Sequence, residues 1–202
     1  RTKGAIAEEL PAKTEIPVYA ELSGDQRELY EQLRLGQEPR VREALARPDQ
    51  PQSRMQILHA LLQLREVCCD PRLVRDAPQT AHGSAKLDRL LALIDDLRQS
   101  DRRILVFSQF TRMLALIGSA LEAGGMTYAK LTGETRDRER EVQRFQDGEV
   151  PIFLISLKAG GTGLNLTAAD SVIHYDPWWN PAVTRQATDR AHRIGQDQPV
   201  FV

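Results

Sequence analysis

Beyond residue 84, helical stripes alternate with short apolar runs. Leu87, Leu90, Leu91 and Ile94 recur at the three-to-four spacing that puts them on one face of a helix. Strand-like Ile104-Leu-Val-Phe-Ser108 follows, then a helix over 110–122, a strand over 127–131, a charged helix over 135–146 and a strand over 152–155. A fourth strand is read at 171–174. The next helix, over 181–194, takes Asn180 as N-cap, Pro181 at its first position and Gly195 as C-cap, and a last strand begins at 199. Strands that alternate with helices imply an α/β fold, a parallel sheet flanked by helices on both faces.

The first 80 residues read as mostly helical. A strand end and then a helix fit 20–35, with Ser23 as N-cap and Leu22, Leu29 and Leu33 as apolar markers. Gly36, Pro39, Pro48 and Pro51 punctuate 36–53, which reads as an exposed connection holding one short helix. Leu58, Leu61, Leu62 and Leu64 then mark a second helix, stopped by Pro71. The expected division is a helical segment at 1–80 and a sheet domain at 81–202, cut off within its last strand as an excised fragment would be.

Composition narrows the classes. The 202 residues are 41% hydrophobic and 27% charged, which excludes disorder and fibrous repeats across the whole chain. The apolar runs at 104–107 and 152–155 are far shorter than the roughly 20 residues of a membrane span, so no membrane partner is expected. Residues 1–11 are mixed and acidic, unlike a secretory leader, and the adjacent Cys68 and Cys69 suit a reducing compartment better than a disulfide. Against 28 acidic residues stand 27 basic ones, a net charge of -1, so any nucleic-acid contact must come from a local patch. No cluster with metal-ligand spacing surrounds His174 or His192, and no metal site is expected.

Ligands of a parallel sheet gather where its strands end, so chemistry is sought in the loops after them. Those loops are Ser108-Gln109-Phe110-Thr111, Thr132-Gly133-Glu134-Thr135, the glycine-rich 158–165 and Asp176-Pro-Trp-Trp-Asn-Pro181. Small hydroxyl and glycine residues let backbone N–H groups approach phosphates. The chain holds no Gly-Lys pair for a Walker A loop, and no Asp-Glu pair to hold Mg²⁺. By itself it lacks the parts that hydrolyse a nucleotide. On the 181–194 helix, Val183, Ala187, Ala191 and Ile194 form an apolar face and Gln186, Asp189, Arg190 and Arg193 the polar one, which fits a pair of arginine fingers or a solvated face.

Gln186-Ala-Thr-Asp-Arg-Ala-His-Arg-Ile-Gly-Gln196 resembles motif VI of the Swi/Snf-type ATPases of helicase superfamily two. Residues 104–110 resemble motif IV, 131–135 the short motif after it, and 155–166 motif V. The resemblance extends to 13–16 and 84–87, nearly the whole chain in the expected order. It implies the second RecA-like lobe of an ATP-dependent double-stranded DNA translocase, whose other lobe carries Walker A and the Mg²⁺ site. By resemblance, Arg190 and Arg193 are the arginine fingers, and Gln186, Gly163 and Asp189 line the ATP cleft. The DNA-facing positions it implies are Ser108, Gln109, Thr132, Gly133, Lys158, Gly160, Gly161, Asn165 and Trp179.

The sequence departs from the family pattern at Lys158, where many members have Arg, and in the doubled Trp178-Trp179. A compact bacterial member is expected, cytoplasmic and nucleoid-associated; a eukaryotic one would be nuclear. The alternatives are a strand-separating helicase lobe, in whose DEAD-box form Arg would replace Gln196, and a nucleic-acid-binding module without ATP chemistry.

Overall fold

The computed structural model describes residues 10–22, 24–75, 77, 83–159 and 163–202. Ser23, read as an N-cap, lies outside them. Two compact units are present, one of residues 1–18 with 91–202 and the other of 19–90.

The larger unit is built on a parallel sheet of six strands: β1 (Lys13–Thr14), β2 (Ile104–Ser108), β3 (Tyr128–Leu131), β4 (Ile152–Ser156), β5 (Ser171–His174) and β6 (Val200–Phe201). Their order is β1-β6-β5-β2-β4-β3. β2 lies between β4 and β5, with Ile104 opposite both Ile152 and Ser171. Every residue of β2 and β4 is buried, which is why both read as unbroken apolar runs rather than alternating ones. Leu105, Phe107, Phe145, Phe153, Ile155 and Leu166 pack into one core.

The helices of this unit are α4 (Thr111–Ala123), α5 (Arg138–Gln146) and α6 (Pro181–Thr188). α5 starts at Asp137, whose carboxylate accepts the Arg140 N–H, and α6 at Asn180, whose side chain accepts the Ala182 N–H. α6 stops at Thr188, six residues before the end read from the sequence. Its C-terminal side is drawn into a turn because the Leu166 N–H claims the Arg190 carbonyl at 3.0 Å. Ile194, read as part of the apolar face, is therefore 63% exposed, while Ala187 and Ala191 are buried. Gly195 has φ +96° and closes this turn rather than the helix itself.

β1 is not marked by any apolar run. Two residues suffice because its neighbours hold it: the Val200 N–H donates to the Ala12 carbonyl at 2.9 Å and the Val202 N–H to that of Thr14 at 2.8 Å.

In the smaller unit α1 (Gly24–Ala46) runs straight through Gly36 and Pro39, where the sequence suggested a connection. Proline removes the bond to the Leu35 carbonyl, but this face is open to water, which can take that bond's place. The Gln37 side chain donates to that of Gln63, and Ala44 is buried near the helix end. In α2 (Pro51–Cys69) Ser53, Ala60 and Val67, seven apart, are buried, and so is the terminal Cys69. Leu58, Leu61 and Leu62, whose spacing marked the helix, are 48, 46 and 42% exposed. Gln26 ties the unit together: its Nε2 donates to the Val67 carbonyl and its Oε1 accepts the Ala85 N–H. α3 (Ala85–Gln99), of which residues from Leu91 on belong to the larger unit, is capped by the Ser84 hydroxyl, which accepts the Leu87 N–H, and buries Leu87, Leu90 and Ile94 as expected.

Candidate nucleotide and nucleic-acid site

The chain leaves β2 toward β3 on one side and leaves β5 toward β6 on the other, so the ends of β2 and β5 flank a topological switch point. The loops there are stitched together. The Tyr175 N–H donates to the Phe107 carbonyl at 3.0 Å, and the Leu157 N–H to that of Ser108 at 3.0 Å. The Gln109 N–H reaches both carboxylate oxygens of the buried Asp176, at 3.1 and 3.2 Å. Under this rim His174 stacks on Phe107, ring centroids 5.6 Å apart, and its Nε2 lies 2.9 Å from the Thr188 hydroxyl. Burial pulls its pKa down to about 4, against a weaker upward pull from Glu15.

Arg190 and Arg193 do not share a face. Arg190 is 7% exposed, with its guanidinium carbon 5.9 Å from the centroid of the Phe107 ring, whereas Arg193 is exposed. Burial lowers the Arg190 pKa. Its Nη1 is buried without a hydrogen-bond partner, and so is the Nε2 of Gln109; only one other described side-chain atom, on Arg103, shares that condition. A buried donor left unpaired costs about 1–3 kcal/mol, so two of them at one rim mark places where an acceptor belongs.

The remaining sequence-read positions divide by exposure. Gln186, Lys158, Gly133, Gly163 and Asn165 are exposed, and Asp189 is half-buried at the end of α6. Gly163 adopts φ +59°, a left-handed conformation that favours glycine. Trp179 is 62% exposed and stands edge-on to the half-buried Trp178, centroids 5.3 Å apart. Ser108 is fully buried, its hydroxyl accepting the Phe110 N–H at 3.1 Å, so it shapes the loop and does not reach the surface. Thr132 is 8% exposed, its hydroxyl accepting the Glu134 N–H at 3.3 Å. Gly160 and Gly161 lie outside the described residues.

Sequence reading missed Gln196 and His192. Gln196 is buried and its Nε2 lies within hydrogen-bond distance of three carbonyl oxygens; His192 Nε2 lies 2.8 Å from the Pro11 carbonyl. Both stand inside the 186–196 stretch that carries the motif VI resemblance, and that stretch was the sign of them.

Residues 85–195 match the model of the helicase conserved C-terminal domain. The chain belongs to that family. Among curated relatives, a Bacillus subtilis protein named as an ATP-dependent helicase/translocase, YwqA, is 41% identical over 98% of this chain and 22% of its own length. Human SWI/SNF-related matrix-associated actin-dependent regulator of chromatin subfamily A member 1 is 39% identical over 100% of the chain and 20% of its own. Both bacterial and eukaryotic relatives therefore match, and the chain spans about a fifth of their length. Among solved structures, the Sulfolobus solfataricus SWI2/SNF2 ATPase core in complex with dsDNA is 31% identical, with TM-score 0.78 over 98% of this chain and 42% of that one. The C-terminal domain of that ATPase gives 30% identity and TM-score 0.73, over 84% of this chain and 75% of that one. The helicase C-terminal lobe seen here is thus of the SWI2/SNF2 type, with a RecA-like fold.

Proposed function

We propose that this lobe is the second motor lobe of an ATP-dependent double-stranded DNA translocase. The observation that carries the reading is the buried, unpaired Nη1 of Arg190 at the switch-point rim. A phosphate oxygen satisfies that donor with a charge-assisted bond, so the residues present fit a nucleoside triphosphate presented from a partner lobe.

In this reading ATP, with Mg²⁺ held on the other RecA-like lobe, supplies the phosphoryl transfer. Arg190 and Arg193 stabilise the charge that builds on the transferring phosphoryl oxygens, the buried one held in place and the exposed one reaching across. Gln186, Gly163 and Asp189 border the same cleft. Lys158, Asn165, Gln109, Gly133 and Trp179 face the duplex together with Gly160, Gly161 and Thr132, and Ser108 acts through the shape of its loop. Cleft closure around ATP and reopening after hydrolysis move these contacts along one strand. A bacterial protein of this kind works at the nucleoid, a eukaryotic one in the nucleus.

The test is displacement of a third strand from a DNA triplex by the two-lobe protein in the presence of ATP. ATP-dependent displacement supports translocation; strand separation of a forked duplex instead would favour a helicase. The lobe alone should release no phosphate from ATP, and its binding to duplex DNA should weaken steeply with salt, because few phosphate contacts are available. Phosphate release by the lobe alone would remove the division of labour.

A further inference from the structure

One side chain ties the arginine turn to the loop that follows β4. Gln196 is 5% exposed, and its Oε1 accepts the Gln198 N–H at 2.9 Å, which fixes the orientation of the amide. Its Nε2 therefore faces three carbonyls, those of Thr167 at 3.1 Å, Ala169 at 2.7 Å and Ala191 at 3.1 Å. Thr167 and Ala169 follow directly on Gly163 and Asn165; Ala191 stands between the two arginines. The same two segments meet again where the Leu166 N–H donates to the Arg190 carbonyl at 3.0 Å. Two backbone stretches more than 20 residues apart are thus fastened at two points.

We infer that Gln196 is a positioning residue that couples the loop after β4 to the turn carrying Arg190 and Arg193. This rests on the function proposed above: a duplex seated on Asn165 sets the stretch that runs on to Ala169, and the clamp passes that setting to the arginines. The physical basis is that this one amide bonds both stretches at once. The Ala191 carbonyl also accepts the Arg193 N–H at 3.2 Å, but loss of the amide would take the side-chain donor from the carbonyl of the buried Ala169, and the two stretches would part to hydrate it. Packing alone does not explain the arrangement, because an amide donor shared among three acceptors is specified by hydrogen-bond chemistry and not by volume.

Gln196→Glu keeps the shape, removes the donor and sets a carboxylate against three carbonyl oxygens. In the two-lobe protein it is expected to lower DNA-stimulated kcat roughly 10- to 100-fold, the cost of a misplaced catalytic group. KM for ATP and Kd for a short duplex should stay within about twofold, since neither ligand touches Gln196 in this reading. A folded Q196E with unchanged kcat would overturn the inference, as would a kcat loss no larger than the loss of folded protein.

A second measurement needs no variant. In the wild-type chain, the Gln196 side-chain amide signals should shift when a short duplex is added, together with the backbone signals of Lys158 and Asn165. Gln196 signals that stay fixed while those two move would overturn the coupling and spare the proposed function. If no signal moves at all, the DNA reading fails and the inference falls with it.

Discussion

The backbone N–H of Gln109 points between the two carboxylate oxygens of Asp176, 3.1 and 3.2 Å away, and this bond closes the rim between β2 and β5. Asp176 is 4% exposed, so the interaction is made out of water, where an orphaned donor is expensive. Asp176→Ala should cost about 1.5–3 kcal/mol in urea unfolding, the range for bonds to a charged group. Asp176→Asn keeps one acceptor oxygen and should cost less. Equal losses in the two variants would show that the charge, not the acceptor, holds the rim.

The two arginines should separate when stability is measured beside activity. Both alanine variants are expected to cut DNA-stimulated ATPase of the two-lobe protein by roughly 10³-fold or more. Arg193 is exposed, so Arg193→Ala should leave stability within about 0.5 kcal/mol. Arg190→Met keeps a packed stem near Phe107 and removes a buried, incompletely bonded charge; it should be inactive yet at least as stable as the parent. A lower melting temperature for Arg190→Met would mean that the guanidinium is held by structural bonds.

His174 should give the lobe an acid-sensitive step. Its pKa is lowered from 6.5 to about 4 in the folded state, because burial disfavours the charged ring. The unfolded chain therefore takes up this proton first as pH falls. The stabilising contribution is whole above about 6.5, and is lost progressively down to about 4. Glu15, whose own pKa is lowered chiefly by its bond to Lys13, opposes the shift only weakly. His174→Gln should flatten the fall in melting temperature across that window relative to the parent. Parallel curves for the two proteins would contradict the assignment.

Gly118 sits where α4 passes under Tyr128. A Cβ there would lie 2.5 Å from the phenol oxygen and 2.9 Å from Cζ, closer than side chains tolerate. The phenol also donates to Glu122 at 2.6 Å, and burial with that bond pushes its pKa up to about 12. Gly118→Ala should destabilise the native protein, because the ring must leave this bond. In a Tyr128→Ala background the same change should stabilise by about 1 kcal/mol, the helix-propensity difference between glycine and alanine. A double-mutant cycle of thermal unfolding checks the reversal of sign.

The sequence alone determined the elements whose signals are local. β2 and β5 appear at their read boundaries, because apolar runs bounded by polar or turn residues leave a buried strand little choice. The start of α6 follows from Asn180 and Pro181, which act on the backbone within two residues of themselves. The order of motifs was legible for the same reason, since each is a short continuous stretch of sequence.

What only the tertiary structure decided depends on partners far along the chain. α1 continues through Pro39 because its open face can be hydrated and its far end is packed. α6 stops early because Leu166 and Gln196 bind the backbone of residues 190 and 191 from outside the helix. That turn separates a buried Arg190 from an exposed Arg193, although a continuous helix would have shown both to water. Periodicity reports which positions could share a face. It carries no information on which distant donor will capture a carbonyl, and here those long-range bonds set the geometry of the candidate site.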